Sequence, residues 1–361
     1  MKFVDEYRDA EVVKLISEKL HKYDGKPISL MEVCGGHTMA IHRFGIPSLL
    51  PDSIKLISGP GCPVCVSSID FINRAIALSR IDNVIITTYG DLIRVPGSES
   101  SLEKEKSAGA DIRIVYSTLD ALKIAQQNKK KKIIFLGIGF ETTAPASAIA
   151  IQKAHQEKIS NFFILSAHKI MPPVMEALLN DKVKIDGFIC PGHVSTITGS
   201  KIYDFIPAKY KIGCVVAGFE PVDIMQSIYM LVKQINSANQ KVEIQYSRAV
   251  TVEGNIKAQA AMNDVFETRN DTWRGIGEIP LSGLQMKKKN ASFDAQLEFD
   301  ISVEHKKENP ACICGDILRG FKTPADCKLF GMICSPENPV GACMVSGEGA
   351  CHAYYKFNKH E

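Results

Sequence analysis

The sequence predicts an α/β protein in three parts: two doubly wound parallel-sheet domains facing one another across a cleft, and a cysteine-rich domain after them. Three observations predict this. Short apolar runs alternate with helical patterns twice over between residues 28 and 237. Polar motifs stand just after many of those runs, at the strand ends where open α/β sheets bind ligands. Six of the eleven cysteines fall between Cys312 and Cys351, in a stretch broken repeatedly by glycine and proline.

Residues 6–22 carry apolar positions at helical spacing. Past Gly25 and Pro27, ISLMEV (28–33) reads as a buried strand and runs straight into CGGHTMAIHRFG. IKLIS (54–58) follows, then GPGCPVC and a helical pattern through Ile81. NVIITT (83–88) leads to Asp91, and RIVYS (113–117) precedes the helical LDALKIAQQNKK. The alternation then restarts with KIIFLGIG (132–139) before FETTAPASAIAIQKAHQ, and NFFILS (161–166) before His168. DGFIC (186–190) precedes PGHVSTITG, and IGCVVAG (212–218) precedes FEP and a long helical pattern. These runs predict one α/β domain over 28–131 and a second over 132–237. Residues 238–361 form the third, with residues 1–27 packed against it.

Composition excludes several function classes. A net charge of +3 gives no footprint for nucleic acid or a membrane surface. With 45% hydrophobic and 23% charged residues, the chain reads as ordinary globular protein. The run Lys129–Lys132 closes a helical pattern, where cations offset the helix dipole. Lys287–Lys289 reads as a solvated loop. No apolar run approaches the roughly 18 residues of a membrane span. The opening MKFVDEYRDAEVV has acids where a secretory signal is apolar, and an odd cysteine count argues against a disulfide framework. Free thiols without a signal predict a reducing, cytoplasmic setting.

The C-terminal cysteines therefore suit a metal centre. Structural zinc favours close ligand pairs, and the only one in this array is Cys312-x-Cys314. Iron–sulfur clusters use four thiolates at varied spacings, which favours a cluster and leaves zinc as the alternative. The strand-end motifs add Cys34, His37 and Thr38, the pair Cys62 and Cys65, then Asp91, Glu141 with Thr142 and Thr143, His168, Cys190, His193 and Glu220. Cys34 follows a strand and opens a helix, a position that lowers a thiol pKa. Gly35 and Gly36 free backbone amides to face whatever the sulfur binds. Cys62-Pro-Val-Cys65 reads as a redox dithiol or half of a metal site. Thr142 or Thr143 serves equally as a helix cap, and His168 and His193 equally as structural histidines. No G-x-x-x-x-G-K-[ST] phosphate loop is present.

Five motifs carry a resemblance: MEVCGGHT, GPGCPVC, GFETT, PGHVS and the array Cys314-x12-Cys327-x6-Cys334-x16-Cys351. Together they resemble the HypD family of hydrogenase maturation proteins over most of the chain. The resemblance implies a [4Fe-4S] cluster on Cys314, Cys327, Cys334 and Cys351, in surroundings like those of ferredoxin:thioredoxin reductase. Cys312 and Cys343 are then outer or spare thiols. It further implies that Cys34 holds the iron of the Fe(CN)2CO group of [NiFe]-hydrogenase, with Thr38 and glycine amides toward the cyanides. Cys62 and Cys65 supply electrons or further iron ligation. The implied partners are a HypC-type chaperone and HypE, the cyanide donor loaded by HypF. The family motif often continues GGHTH, and here Met39 takes the last place. Two other readings compete: a cluster-dependent protein disulfide reductase, which leaves Cys34-Gly-Gly-His37 without a role, and a zinc-stapled binding module, which explains only the C-terminal segment.

Overall fold

The computed structural model describes residues 5–358 apart from 182, 302 and 304–308. The strands are β1 (Ile28–Glu32), β2 (Ile54–Ser58), β3 (Val84–Thr88), β4 (Ile112–Ile114), β5 (Lys132–Gly139), β6 (Phe162–His168), β7 (Gly187–Pro191), β8 (Gly213–Ala217), β9 (Val242–Ile244), β10 (Phe266–Trp273) and β11 (Gly277–Met286). Two parallel sheets form, in the orders β2-β1-β7-β8-β9 and β4-β3-β5-β6. The α/β class and the parallel pairing follow from the near-continuous apolar character of these strands.

The sheets do not divide the chain at residue 131. β1 and β2 pair with β7–β9, whereas β3–β6 form the other sheet between them. The chain leaves the first sheet after β2 and returns to it at β7, beside β1. Alternating strands and helices look alike whichever sheet receives them, because pairing is decided by complementarity between distant segments.

Side-chain alternation along each strand explains the packing. In the first sheet Leu30, Ile54, Val215 and Ala217 face a cluster built with the helices Ala10–Leu20, Gly35–Arg43 and Pro221–Asn236. Met31, Ile57, Phe188 and Val216 enter a second cluster. The four-stranded sheet sends Ile86, Ile134, Leu136 and Leu165 into that same cluster. Its other face, with Ile85, Phe135 and Ile164, packs with the helices Thr118–Gln127 and Ala144–Gln156. One core is therefore shared by both sheets.

The C-terminal segment joins this shared core. Cys314, Ile317, Leu318, Cys334, Cys343, Met344, Val345 and Cys351 all belong to it. Each fully buried aliphatic side chain contributes on the order of 2 kcal/mol. A segment with so little regular structure draws that burial from the sheets. The N-terminal helix lies against the helix Pro221–Asn236, and just before it Tyr7 meets residues 238–361 through Arg248, whose guanidinium sits 3.6 Å from its ring centre. β10 and β11 form an antiparallel hairpin with an irregularity at Asn270. Its Trp273 is fully buried, stacks on Phe140 at 5.9 Å and donates its indole N–H to the Ser282 hydroxyl at 2.8 Å. Trp273 also bridges Ser67, and the Arg274 amide donates to the Val66 carbonyl at 2.9 Å. The hairpin thus grips the helix Pro63–Val66, which carries Cys65.

Candidate functional site: a file of buried thiols

Cys34 caps the N-terminus of the helix Gly35–Arg43, in extended backbone. The amides of His37 and Gly36 point at its sulfur. The next loop lies directly against it: the Gly35 amide donates to the Gly61 carbonyl at 3.0 Å. A Cβ on Gly61 would lie 2.2 Å from the Cys34 nitrogen, so only glycine permits this approach. Backbone contact therefore sets Cys62 beside Cys34.

Two carboxylates that the motif reading passed over frame Cys34. Glu32 is buried; it accepts the Cys34 N–H at 2.9 Å and the Thr38 hydroxyl. Burial pushes its carboxyl up to about 7. A lone glutamate inside the apolar run ISLMEV was the available signal. Glu348 arrives from the C-terminal segment; a Cβ on Gly35 would fall 2.9 Å from its Oε2. Burial and nearby Asp91 raise the Glu348 carboxyl as well.

These surroundings overturn the expectation of a lowered Cys34 pKa. Burial, then the charge of Glu348, push the thiol up to about 12, against the opposing amides of His37 and Gly36. Desolvation outweighs the helix terminus here. Thr38 also differs from expectation, since its hydroxyl is taken by Glu32 and so positions that carboxylate.

His37 donates from Nε2 to the carbonyls of Ala217 and Gly218, at 3.2 and 3.0 Å. Burial lowers its pKa to about 4, so the ring is neutral at pH 7. Its Nδ1 is buried with no hydrogen-bond partner among the described residues. Phe219 is stacked between His37 at 4.8 Å and the exposed His193 at 4.0 Å. The fold thus joins the CGGH and PGH motifs through a residue of the loop after β8.

The dithiol continues the arrangement inward. Cys62 caps the helix Pro63–Val66, and its sulfur accepts the Cys65 amide at 3.3 Å. Burial, then contacts with Cys343 and Cys62, raise the Cys65 thiol. Cys343 is fully buried between Cys65 and Cys314; their hydrogen bonds to its sulfur lower it to about 6. Cys314 in turn meets Cys351 and lies 3.1 Å, sulfur to sulfur, from Cys312. Cys62, Cys65, Cys343 and Cys314 therefore form one file. Spacing alone gave Cys343 no such place.

The file ends at a small cavity, of about 10 Å³, lined by Cys312, Cys314, Cys327, Cys334 and Cys351. A Cβ on Gly341 would fall 2.5 Å from the Cys314 sulfur and 2.6 Å from that of Cys312. The Val340 amide donates to the Cys334 sulfur at 3.4 Å. Among the described residues no group of His, Cys, Asp and Glu is arranged for a single metal ion. The sulfurs ring a space instead, a donor set that fits a cluster with one thiolate per iron.

The remaining predicted residues have other partners. The Asp91 carboxylate accepts the Ser346 hydroxyl at 2.7 Å, while Arg94 donates to the carbonyls of Pro336 and Val345. Together they bracket the loop that carries Cys343 and Glu348. Glu141 accepts the Met171 amide at 3.0 Å, and its second oxygen is buried without a partner among the described residues. His168 Nε2 meets the Ser147 hydroxyl at 3.0 Å. Thr143 bonds the Ile138 carbonyl at 3.1 Å. Cys190 is buried against Cys214, and Glu220 is bound by Arg8 and Asp223.

Two parallel sheets sharing a core with this thiol file define a class: an α/β thiol protein whose cysteines converge from distant segments. The chain belongs to the HypD family; the family described as "Hydrogenase formation hypA family" matches residues 10–358. It is 46% identical over 370 residues to a protein of Bradyrhizobium diazoefficiens named hydrogenase maturation factor HypD2, covering 99% of this chain and 97% of that one. The HypD of Rhizobium leguminosarum is 47% identical, over 99% of this chain and 96% of its own. That of Escherichia coli is 43% identical, over 100% of this chain and 99% of its own.

Proposed function

We propose that this protein is a [NiFe]-hydrogenase maturation factor on which the Fe(CN)2CO group is assembled as cargo. The continuous thiol file from Cys62 to Cys314 carries this reading, because it joins the Cys34 loop to the cysteine-ringed cavity. Cys34 provides the thiolate for the iron, and the Gly36 and His37 amides steady its sulfur. Glu32 orients the loop through the Cys34 amide and Thr38, while Glu348 stands ready to take the thiol proton. The neutral Nδ1 of His37 offers an acceptor inside the same group.

Cys327, Cys334, Cys351 and Cys314 would hold a [4Fe-4S] cluster, which supplies electrons one at a time; Cys312 lines the same cavity. The Cys62–Cys65 dithiol releases two electrons and two protons when it closes to a disulfide. Restoring it consumes the same two electrons and two protons. Cys343, touching both Cys65 and Cys314, is the contact between the two sites. A HypC-type chaperone shares the iron and HypE, loaded by HypF, delivers cyanide. The setting is cytoplasmic; no helix among the described residues is long and apolar enough to cross a membrane.

The test is infrared spectroscopy on the complex co-purified without oxygen from cells expressing all four proteins. Cyanide and carbonyl bands are expected with native protein and absent with Cys34→Ser. Full bands from that variant would overturn the reading. The disulfide-reductase alternative predicts thiol reduction that survives Cys34→Ser.

A further inference from the structure

The cysteines around the cavity differ in what lies behind them. Cys314 and Cys351 stand toward Cys343 and the thiol file. Cys327 and Cys334 flank a tight turn instead. The Phe330 amide donates to the Cys327 carbonyl at 3.0 Å, the Cys334 amide to the Leu329 carbonyl at 2.9 Å, and the Gly331 amide to the Cys334 carbonyl at 3.0 Å. Gly331 takes φ +70°, a left-handed conformation that glycine enters without strain. Leu329 and Phe330 line the cavity, and Tyr355 holds Phe330 from behind, ring centres 5.9 Å apart. The next two side chains point outward: Met332 is 83% exposed and Ile333 59%. Nothing among the described residues buries this apolar tip, and a partner that covers it gains that burial.

The surround of the tip is basic. Lys322 and Lys328 are exposed on the same segment, and Lys356 follows Tyr355 on the helix Ala350–Phe357. Lys55, exposed on the edge strand β2, stands near Lys322. Hydrogen bonds from Thr323, and then the charges of these two lysines, hold the Asp326 carboxyl below its ordinary value. None of the four lysines makes an ion pair among the described residues. Of the two acids in residues 320–340, Asp326 is taken by the Thr323 amide and hydroxyl at 2.7 and 2.9 Å, and Glu337 is the other. An apolar centre ringed by unmatched cations, on the turn between two cavity cysteines, suits a small and transient electron-transfer contact steered by charge.

We propose that the Met332–Ile333 turn docks an acidic one-electron carrier protein that reduces the cluster. The proposal rests on the proposed function, which puts a [4Fe-4S] cluster on the cavity cysteines and consumes two electrons to restore the Cys62–Cys65 dithiol. Each carrier is oxidised by one electron and the cluster is reduced by one, with no bond or proton changing hands. Two encounters supply the pair. Electrons enter past Cys327 and Cys334 and leave by Cys314, where the thiol file begins.

The probe is an acidic [2Fe-2S] ferredoxin, reduced beforehand and mixed without oxygen with full-length protein carrying its cluster. Stopped-flow absorbance reads the rate of reduction. Lys322→Glu combined with Lys328→Glu is expected to slow it about tenfold or more and to flatten its salt dependence. Met332→Gln removes apolar contact without changing charge and should slow it about threefold or more. Lys129→Glu combined with Lys130→Glu makes the same charge change beyond the helix Thr118–Gln127 and should leave the rate unaltered. Dithionite needs no docking face, so it should reduce every variant to the same extent, which reports that fold and cluster are kept. Rates within about twofold of native in both turn variants would overturn the proposal. So would a dimer of the protein alone, or a complex with the HypC-type chaperone, that Met332→Gln disrupts while ferredoxin reduces the variant at the native rate. The tip would then belong to that partner. Native protein with no cluster that dithionite reduces would overturn the cluster reading itself, and the proposal with it, before any variant is made.

Discussion

The Cys34 loop and the cysteine-ringed cavity solve the placement of reactive sulfur in opposite ways. At Cys34 the local backbone does most of the work: a strand end, a helix start and Gly61 pressed against the Cys34 nitrogen fix the thiol. Around the cavity there is little regular structure. The segment is held from outside, by Asp91 and Arg94, by the shared core, and by thiol contacts reaching it from Cys65. A site built on elements tolerates loss of its ligand. A site built on turns depends on what it encloses and on what brackets it.

The largest expected effect tests that contrast directly. Alanine at Cys327, Cys334, Cys351 or Cys314 should remove most of the iron and acid-labile sulfide from anaerobically prepared protein, and loosen the C-terminal segment. Cys34→Ser should keep both. Stoichiometric zinc without sulfide would end the cluster assignment. The same analysis of Cys312→Ala shows whether that sulfur, 3.1 Å from Cys314, substitutes for its neighbour.

Cys343→Ala sharpens the comparison, because this thiol belongs to neither site alone. Iron content should stay close to native, while reduction of a Cys62–Cys65 disulfide through the cavity should fall about tenfold or more, as the direct sulfur contact is gone. Peptide mass spectrometry after alkylation reads that disulfide. An unaltered rate would remove Cys343 from the file.

Gly61→Ala attacks the backbone-built site. Its new Cβ meets Cys34 backbone rather than a flexible side chain, so relief requires the two loops to part. A stability loss of about 3 kcal/mol is expected in chemical denaturation, with the C-terminal iron retained. A loss below about 1 kcal/mol would show that the loops separate easily.

Glu141 supplies a pH test outside both thiol sites. Its folded carboxyl is raised to about 7 from an ordinary 4.5, through burial. The folded state therefore binds the proton more tightly than the unfolded chain. That contribution is fully present below about pH 4.5, is lost as pH rises toward 7, and is constant above it. The span is on the order of 3 kcal/mol. Glu141→Gln, which imitates the protonated acid, should flatten this part of the curve and stabilise the protein at pH 8. An unchanged slope in urea unfolding would place Glu141 outside the account.

The smallest effect is expected from Asp91→Asn. It keeps the shape but weakens the bond to Ser346, costing about 1 kcal/mol and raising the exposure of the loop bearing Cys343 and Glu348. Hydrogen exchange of that loop checks it.

Much of this molecule was legible in the chain because it depends on neighbours in sequence. Strand and helix periodicity found β1 to β8 within a few residues, as burial patterns repeat every two or about 3.6 residues. Cys34 at a helix start and Cys62-x-x-Cys65 in a turn are equally local. Family membership came from the same motifs. What remained hidden depends on contacts between distant residues. The interleaving of the two sheets, the place of Cys343, the approach of Glu348 to Gly35 and the stack of His37, Phe219 and His193 span between 26 and 313 positions of chain. The Cys34 pKa was misread for the same reason. A helix terminus is visible in sequence, but burial in the packed core outweighs it, and the charge of Glu348 that adds to that effect comes from a segment more than three hundred residues away.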